Sequence, residues 1–193
     1  IVRANLEPQL RDGGIDFIVV TSPQPGDGKT TVSTLLSESL ARLGMKVLIV
    51  DADLRRPGLS KVTRLPSEPG LSQVLRGELP IFEAIREGWT ENVWVLTTAA
   101  DPEAGDLLAR RFAEVIEQAR DRFDVIVVDT PPLLGTDDPR ILATMAKGIL
   151  LVVSAGAPAA AVNEAVIAVE ALNAPLMGII GNRFKEAGQP YYY

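Results

Sequence analysis

The chain has 193 residues, a formal net charge of −6 and neither cysteine nor histidine. This composition excludes disulfide bonds, thiolate catalysis, zinc or iron–sulfur sites with cysteine or histidine ligands, and histidine general bases, so that any metal must be a hard ion held by oxygen, with magnesium the first candidate. The acidic balance, with a pI near 4.8, predicts no nucleic-acid partner.

Short β-branched segments alternate with helical patterns along the chain. Strands are predicted in six segments: DFIVVTS from Asp16, KVLIVDAD from Lys46, NVWVLTT from Asn92, DVIVVD from Asp124, GILLVV from Gly148 and LMGII from Leu176. Several are apolar on both faces, which is typical of a parallel sheet covered by helices on each side. The alternation predicts one α/β domain over residues 1–184, doubly wound and mainly parallel, followed by a polar tail over residues 185–193.

Two longer helices are predicted between these strands. The pattern of residues 30–44 places four apolar side chains on one stripe and ends at Gly44; the four are Val32, Leu35, Leu36 and Leu40. The pattern from Gly105 repeats apolar residues at helical spacing, namely Leu108, Phe112, Ile116 and Ala119. The uncharged run 148–163 predicts a buried strand, a turn and a helix start, and it is too short and interrupted to span a bilayer.

The segment VVTSPQPGDGKTT joins the first strand to the first helix. Its glycines allow backbone N–H groups to face a phosphate at the positive end of the helix. Lys29 would reach the β- and γ-phosphates, and the Thr30 hydroxyl would ligate magnesium. Pro23 replaces the first glycine of the strict G-x-x-x-x-G-K-[ST] pattern, and a simple Gly/Pro-rich turn is the alternative interpretation. The predicted nucleotide-binding residues here are Pro25, Gly26, Asp27, Gly28, Lys29, Thr30 and Thr31.

Three carboxylates follow apolar strands at the same predicted edge of the sheet. Asp51 and Asp53 lie in VLIVDADLRRP, and Asp129 ends VIVVD before TPP. Each acid alone could be a turn or helix-cap residue. Beside a phosphate loop, however, Asp129 could hold magnesium through water. Asp51 or Asp53 could accept the proton of a tyrosine hydroxyl in a chain that lacks histidine.

These motifs, taken in order, resemble those of the bacterial tyrosine kinases, cytoplasmic enzymes of capsular and exopolysaccharide export. The segments SPQPGDGKTT, VLIVDADLRRP and VIVVDTPP resemble the Walker A, A′ and B motifs of that family. The match continues through PGLSQVLRGELP, Asp138, MGIIGNRF and the terminal tyrosines, so it covers nearly the whole chain. The resemblance implies a P-loop NTPase-like fold that binds ATP or ADP with Mg²⁺.

The resemblance also implies a role for each matching residue. Lys29, Asp51 and Asp53 are the implied catalytic residues, with Asp51 as the base toward the tyrosine hydroxyl. Asn182 is implied to contact the adenine. The implied magnesium ligands are Thr30, Asp53 and Asp129.

The only tyrosines of the chain, Tyr191, Tyr192 and Tyr193, are its last three residues. An uninformative chain end is the simpler interpretation, whereas the resemblance implies that they are autophosphorylated. It further implies a ring-shaped homo-oligomer in which each tail enters a neighbouring active site. Of the family's E-x-x-R-x-x-R oligomerisation motif only the last residue, Arg3, is present, which predicts impaired ring assembly.

The resemblance implies a setting at the inner face of the cell membrane. The implied partners are a membrane polysaccharide co-polymerase, separate or fused upstream, that activates the kinase, and a cognate tyrosine phosphatase. The implied role is regulation of capsular or exopolysaccharide synthesis and export.

Two other functions fit the same motifs. A partition or division-site-positioning ATPase shares the fold and the strand-end acids, but such proteins carry a signature lysine where this chain has Gln24. A non-catalytic assembly module would use ATP only to control docking. Neither function requires terminal phenols, so the tyrosine tail favours the kinase.

Overall fold

The computed structural model describes Pro8 and residues 14–184. Arg3 and Tyr191–Tyr193 lie outside the described residues, so the expectations for them stay predictions. The described part contains one seven-stranded sheet: β1 (Phe17–Thr21), β2 (Val47–Asp51), β3 (Arg86–Glu87), β4 (Val93–Leu96), β5 (Val125–Asp129), β6 (Gly148–Ser154) and β7 (Leu176–Asn182). The order is β3-β4-β2-β5-β1-β6-β7, and only the β3–β4 pair is antiparallel.

The mainly parallel, doubly wound fold and all six predicted strands are therefore confirmed. The seventh strand, β3, was not predicted, because two residues are too few to show a periodic pattern. The described helices are α1 (Lys29–Ala41), α2 (Leu59–Thr63), α3 (Leu71–Arg76), α4 (Ile81–Ala84), α5 (Gly105–Arg120), α6 (Asp138–Met145) and α7 (Ala159–Ala171), with a 3₁₀ turn at Pro102–Ala104.

The sheet is buried on both faces, because successive side chains of a strand point in opposite directions. In β1, Phe17 and Val19 join the core under α3 to α7, whereas Ile18 and Val20 join the core under α1 and α2. The central strands can therefore be almost wholly apolar. Their polar residues are confined to the ends, where the loops begin.

One side chain of the predicted α1 stripe is misplaced. Leu36 and Leu40 are buried as expected, but Leu35 is 60% exposed. The face that packs on the sheet instead includes the small polar residues Ser33 and Ser37. The buried face of α1 is therefore displaced by about one residue from the predicted stripe. A prediction that considers only apolar residues overlooks small polar residues that pack where a helix lies close to the sheet.

No helix within residues 14–184 combines the length and apolar content needed to cross a membrane.

Candidate functional site

The loop of residues 22–28, which we call the phosphate loop, connects β1 to α1. Gly26 and Gly28 have φ angles of 88° and 92°, in the left-handed region that glycine adopts without strain. Among the hydrogen bonds of the described residues, none uses an N–H of residues 26–31 as donor. Six consecutive free donors at the start of a 13-residue helix form a cradle whose chemistry fits a phosphate group.

The outside of the phosphate loop is fixed by the end of β7. The Asn182 side-chain amide donates to the carbonyl of Asp27 at 2.8 Å, and Arg183 Nη1 donates to the carbonyl of Gly26 at 3.0 Å. A Cβ on Gly28 would lie 2.2 Å from Asn182 Nδ2. The close approach of the two segments therefore requires glycine at position 28, and it places Asn182 against the loop rather than away from it.

Asp129, the last residue of β5, is fully buried beside the start of α1. Its carboxylate accepts hydrogen bonds from Thr30 Oγ1 at 2.6 Å and from Ser33 Oγ at 3.2 Å. Burial raises the pKa of Asp129 to about 6, although these hydroxyls and the Lys29 charge oppose that rise. Ser33 was not predicted as part of the site, yet it lies one turn after Lys29 on the same helix face, which is the pattern that could have identified it.

Asp51 ends β2 directly beside Asp129 in the sheet register. One of its oxygens accepts the N–H of Asp53 at 3.2 Å, and the other accepts the N–H groups of Gly58 and Leu59 at 3.0 and 2.9 Å. Burial, reinforced by the neighbouring Asp129 charge, raises the pKa of Asp51 to about 7. Asp51 thus holds both ends of the segment 52–58, which we call the A′ loop.

The loops above the strand ends enclose a cleft of about 510 Å³, which we call the main cleft. Its walls come from the phosphate loop, the start of α1, the A′ loop and the β5 loop, defined as residues 130–137. The lining residues predicted from sequence are Pro25, Gly26, Lys29, Thr30 and Asp53. Lining residues that sequence reasoning missed include Pro131, Pro132, Gly135 and Thr136.

The other predicted site residues lie behind or beside this lining. Asn182 supports the phosphate loop from outside. Asp27 stabilises that loop from within, because its carboxylate accepts the N–H of Gln24 at 3.0 Å. Asp51 and Asp129 lie beneath the cleft. Thr31 is exposed on α1, so its contribution to the site is confined to its free N–H.

The acids of the described residues do not form a metal site by themselves, since no group of three aspartate, glutamate, histidine or cysteine side chains there is close enough to hold an ion. This arrangement suits Mg²⁺, which takes one or two carboxylates and fills its remaining positions with phosphate oxygens and water. The free N–H cradle and the Thr30–Asp129 pair therefore fit a magnesium nucleotide better than a permanent metal ion.

Comparisons with known proteins agree with this geometry. The family model described as an AAA domain matches residues 15–168. The chain is 33% identical over 157 residues to the tyrosine-protein kinase YwqD of Bacillus subtilis, covering 80% of this chain and 66% of YwqD. It is 30% identical over 156 residues to the putative tyrosine-protein kinase CapB of Staphylococcus aureus, covering 80% of this chain and 68% of CapB.

Solved structures give the same picture. The kinase domain of the Escherichia coli tyrosine kinase ETK superimposes with a TM-score of 0.90 at 30% identity, covering all of this chain and 77% of that domain. The septum site-determining protein MinD of Pyrococcus horikoshii, complexed with Mg-ADP, superimposes with a TM-score of 0.76 at 29% identity, covering 89% of this chain and 72% of MinD. The chain spans about two thirds of YwqD and CapB, but only 20% of a putative tyrosine-protein kinase EpsB of Ralstonia solanacearum.

Proposed function

Since the chain belongs to the bacterial tyrosine kinase family, we propose that it transfers the γ-phosphoryl group of Mg-ATP to tyrosine hydroxyls. Its first substrates are Tyr191, Tyr192 and Tyr193. The observation that carries this proposal is the main cleft, where free N–H groups, Lys29 and Asp53 converge above the buried Asp51–Asp129 pair. Phosphoryl transfer requires mainly positioning and charge neutralisation, and these groups supply both.

The nucleotide phosphates would lie against the N–H groups of residues 26–31, with Lys29 neutralising their charge. Thr30, Asp53 and Asp129 would hold the magnesium ion, which lowers the charge repulsion that the phosphates present to an incoming hydroxyl. Asn182, at the side of the phosphate loop, would contact the adenine. The Mg-ADP complex of the similar MinD structure supports this choice of cofactor.

Asp51 and Asp53 have different proposed roles toward the tyrosine substrate. Asp53 lines the main cleft and is the A′ acid nearest to an incoming substrate. Asp51 has a pKa near 7, which suits an acceptor for the tyrosine proton. Because Asp51 is fully buried and its oxygens hold the backbone of the A′ loop, a phenol can reach its carboxylate only if that loop moves. The family role of Asp51 as base therefore depends on a shift of the A′ loop.

The cellular role follows from family membership. We propose that the chain acts at the inner face of the membrane, activated by a polysaccharide co-polymerase and reversed by a tyrosine phosphatase, in capsular or exopolysaccharide export. The ring-shaped homo-oligomer, with Arg3 at the interface, belongs to the same proposal. The test is phosphopeptide mass spectrometry of the chain after incubation with Mg-ATP: phosphate on Tyr191–Tyr193 is expected, and an unmodified tail with ATP consumed would point to an ATPase instead.

A positioning ATPase of the MinD type is the second candidate, favoured by the MinD superposition. The residue at position 24 argues against a positioning ATPase. Gln24 occupies the place of the signature lysine, its side chain is exposed, and its N–H is taken by Asp27. The chain therefore lacks the cation that this class contributes at that position.

A further inference from the structure

A second cavity, of about 660 Å³, opens from the side of the main cleft, and we call it the side cavity. The two share Arg55, Gly135 and Thr136 as walls, while no phosphate-loop residue lines the side cavity. The side cavity therefore continues the main cleft on the side away from the phosphate loop. Its volume lies in the range of about 300–1,000 Å³ that is usual for ligand pockets.

We propose that the side cavity receives the acceptor segment, so that a tyrosine of the tail enters the main cleft past Thr136. This inference rests on the proposed kinase function and identifies where its protein substrate lies. In-line phosphoryl transfer brings the acceptor oxygen to the phosphate from the side opposite the leaving group. A nucleotide held by the phosphate loop leaves the side cavity as the open approach on the far side.

The lining of the side cavity suits a peptide with a phenol. Gly105, Ala109 and Gly135 are small, which leaves room for a ring between α5 and the β5 loop. Thr136 Oγ1 is buried and has no hydrogen-bond partner among the described residues. A buried hydroxyl without a partner is costly, and rotation of the Thr136 side chain toward the side cavity would let a peptide group or phenol there pair with it.

An ion pair fixes the wall that the acceptor must pass. Arg55 Nε lies 3.1 Å from Asp138 Oδ2, and Asp138 is almost fully buried at the start of α6. The pair joins the A′ loop to the segment that follows the β5 loop. The acceptor route is thus bounded by the same loop that carries Asp53, which places the phenol beside the proposed magnesium ligand.

The tail is long enough to reach this cavity. Phe184, the last described residue, follows β7, and β7 is four strand positions from β2, or about 19 Å across the sheet. The nine residues that follow Phe184, up to Tyr193, extend to about 30 Å. The tail of the same chain or of a second copy can therefore occupy the side cavity, and a mixing experiment distinguishes these two sources.

The test fills the side cavity without touching the main cleft. Ala109 is exposed on α5, and helical side chains lean toward the N-terminus, so Ala109→Trp would cover Gly105 inside the cavity. We expect phosphate incorporation into the tail to slow at least about ten-fold, with Mg-ADP affinity unchanged. Gln118→Trp is the matched control on the same helix, also exposed and outside the lining, and should behave as wild type.

Thr136→Val should also slow phosphate incorporation into the tail. Thr136→Ser keeps the hydroxyl and should incorporate phosphate at the wild-type rate. Wild-type incorporation in Ala109→Trp, or a matching loss of Mg-ADP affinity, would overturn the proposal while leaving the kinase function standing. Absence of incorporation in the wild type would instead remove the kinase function and this inference together. In the mixing experiment, Lys29→Met chains keep their tail tyrosines but cannot transfer phosphate, and they are combined with active chains that lack tail tyrosines. Phosphate appears on the Lys29→Met tail only if one copy phosphorylates the tail of another.

Discussion

The Asn182 side-chain amide donates to the backbone carbonyl of Asp27 at 2.8 Å, across 155 residues of chain. The last strand of the sheet is thereby attached to the phosphate loop. Arg183 adds a second contact to the same loop at Gly26, and the segment that carries the tyrosines begins two residues later in the sequence. The nucleotide cradle and the root of the proposed substrate are therefore physically joined.

Gly28→Ala should weaken Mg-ADP binding by disrupting this junction. The new Cβ would lie 2.2 Å from Asn182 Nδ2, and the φ of 92° is unfavourable for alanine, at a cost of about 1–2 kcal/mol. Calorimetric titration with Mg-ADP and thermal unfolding measure the two effects. Gly44→Ala is the control, because φ is 84° there as well but nothing lies within 4 Å of its Cβ. Equal Mg-ADP affinity in both variants would contradict the steric role.

Lys29→Met should abolish phosphate transfer while the fold persists. Lys29 is the first residue of α1 and is only 8% exposed. Methionine keeps the apolar stem that packs there but removes the charge toward the phosphates. Circular dichroism and label incorporation from Mg-ATP provide the measurements. Substantial activity in this variant would remove Lys29 from the catalytic residues.

Substitutions of Asp51 and Asp129, the acids at the ends of β2 and β5, should have different effects on phosphate transfer and magnesium binding. Asp51→Asn should lose phosphate transfer but keep Mg-ADP affinity, because the Asp51 carboxylate contacts backbone N–H groups of the A′ loop and not the Thr30 hydroxyl. Asp129→Asn should weaken the magnesium dependence itself, because Asp129 contacts the Thr30 hydroxyl. Titration of both variants with ADP, with and without magnesium, tests this division. Identical losses of Mg-ADP affinity would show that the two carboxylates share one role.

The metal-free protein should lose stability as the pH rises from about 4 to about 7. The folded pKa values of Asp51 and Asp129 are about 7 and about 6, above the usual 3.8. The folded state therefore keeps protons that the unfolded chain releases over this interval, and their stabilising contribution is lost with rising pH. Urea unfolding near pH 5 and near pH 7.5 in a chelator measures the trend. Asp51→Asn should flatten it, and a trend of the same size in that variant would exclude Asp51 as a cause.

Most of the fold could be predicted from the sequence because its signals are local. Continuous apolar runs identified the six longer strands, and the acids that end β2 and β5 were expected at one edge. The register that puts Asp51 beside Asp129 could not be predicted, since it depends on how non-adjacent strands pair. The Leu35 error has a similar origin, because only packing shows that Ser33 and Ser37 face the sheet.

The site residues that belong to a sequence motif could be predicted, whereas the contacts made by backbone groups could not. The glycines, Lys29 and Thr30 were identified by their spacing. The three N–H groups that bind Asp51 come from residues two to eight positions further along the chain, and only the fold of the A′ loop brings them to the carboxylate. The Asn182 contact with Asp27 joins segments 155 residues apart. Thr136 carries no sequence signal, because a threonine in a polar loop is ordinary until its hydroxyl is buried.

Replacing Tyr191, Tyr192 and Tyr193 by phenylalanine should abolish phosphate incorporation and keep the chains associated in Mg-ATP. Each phosphate adds about −1.5 to −2 charges, so a phosphorylated tail would be repelled by the acids of the site, Asp51, Asp53 and Asp129. Phosphorylation should therefore expel the tail and loosen any oligomer that the tail bridges. Sedimentation of the wild type before and after incubation with Mg-ATP, beside the phenylalanine variant, measures this effect. Phosphatase treatment of the phosphorylated wild type is the control and should restore association, because only the charge has changed. Undiminished incorporation in the phenylalanine variant would mean that the acceptor is not the tail.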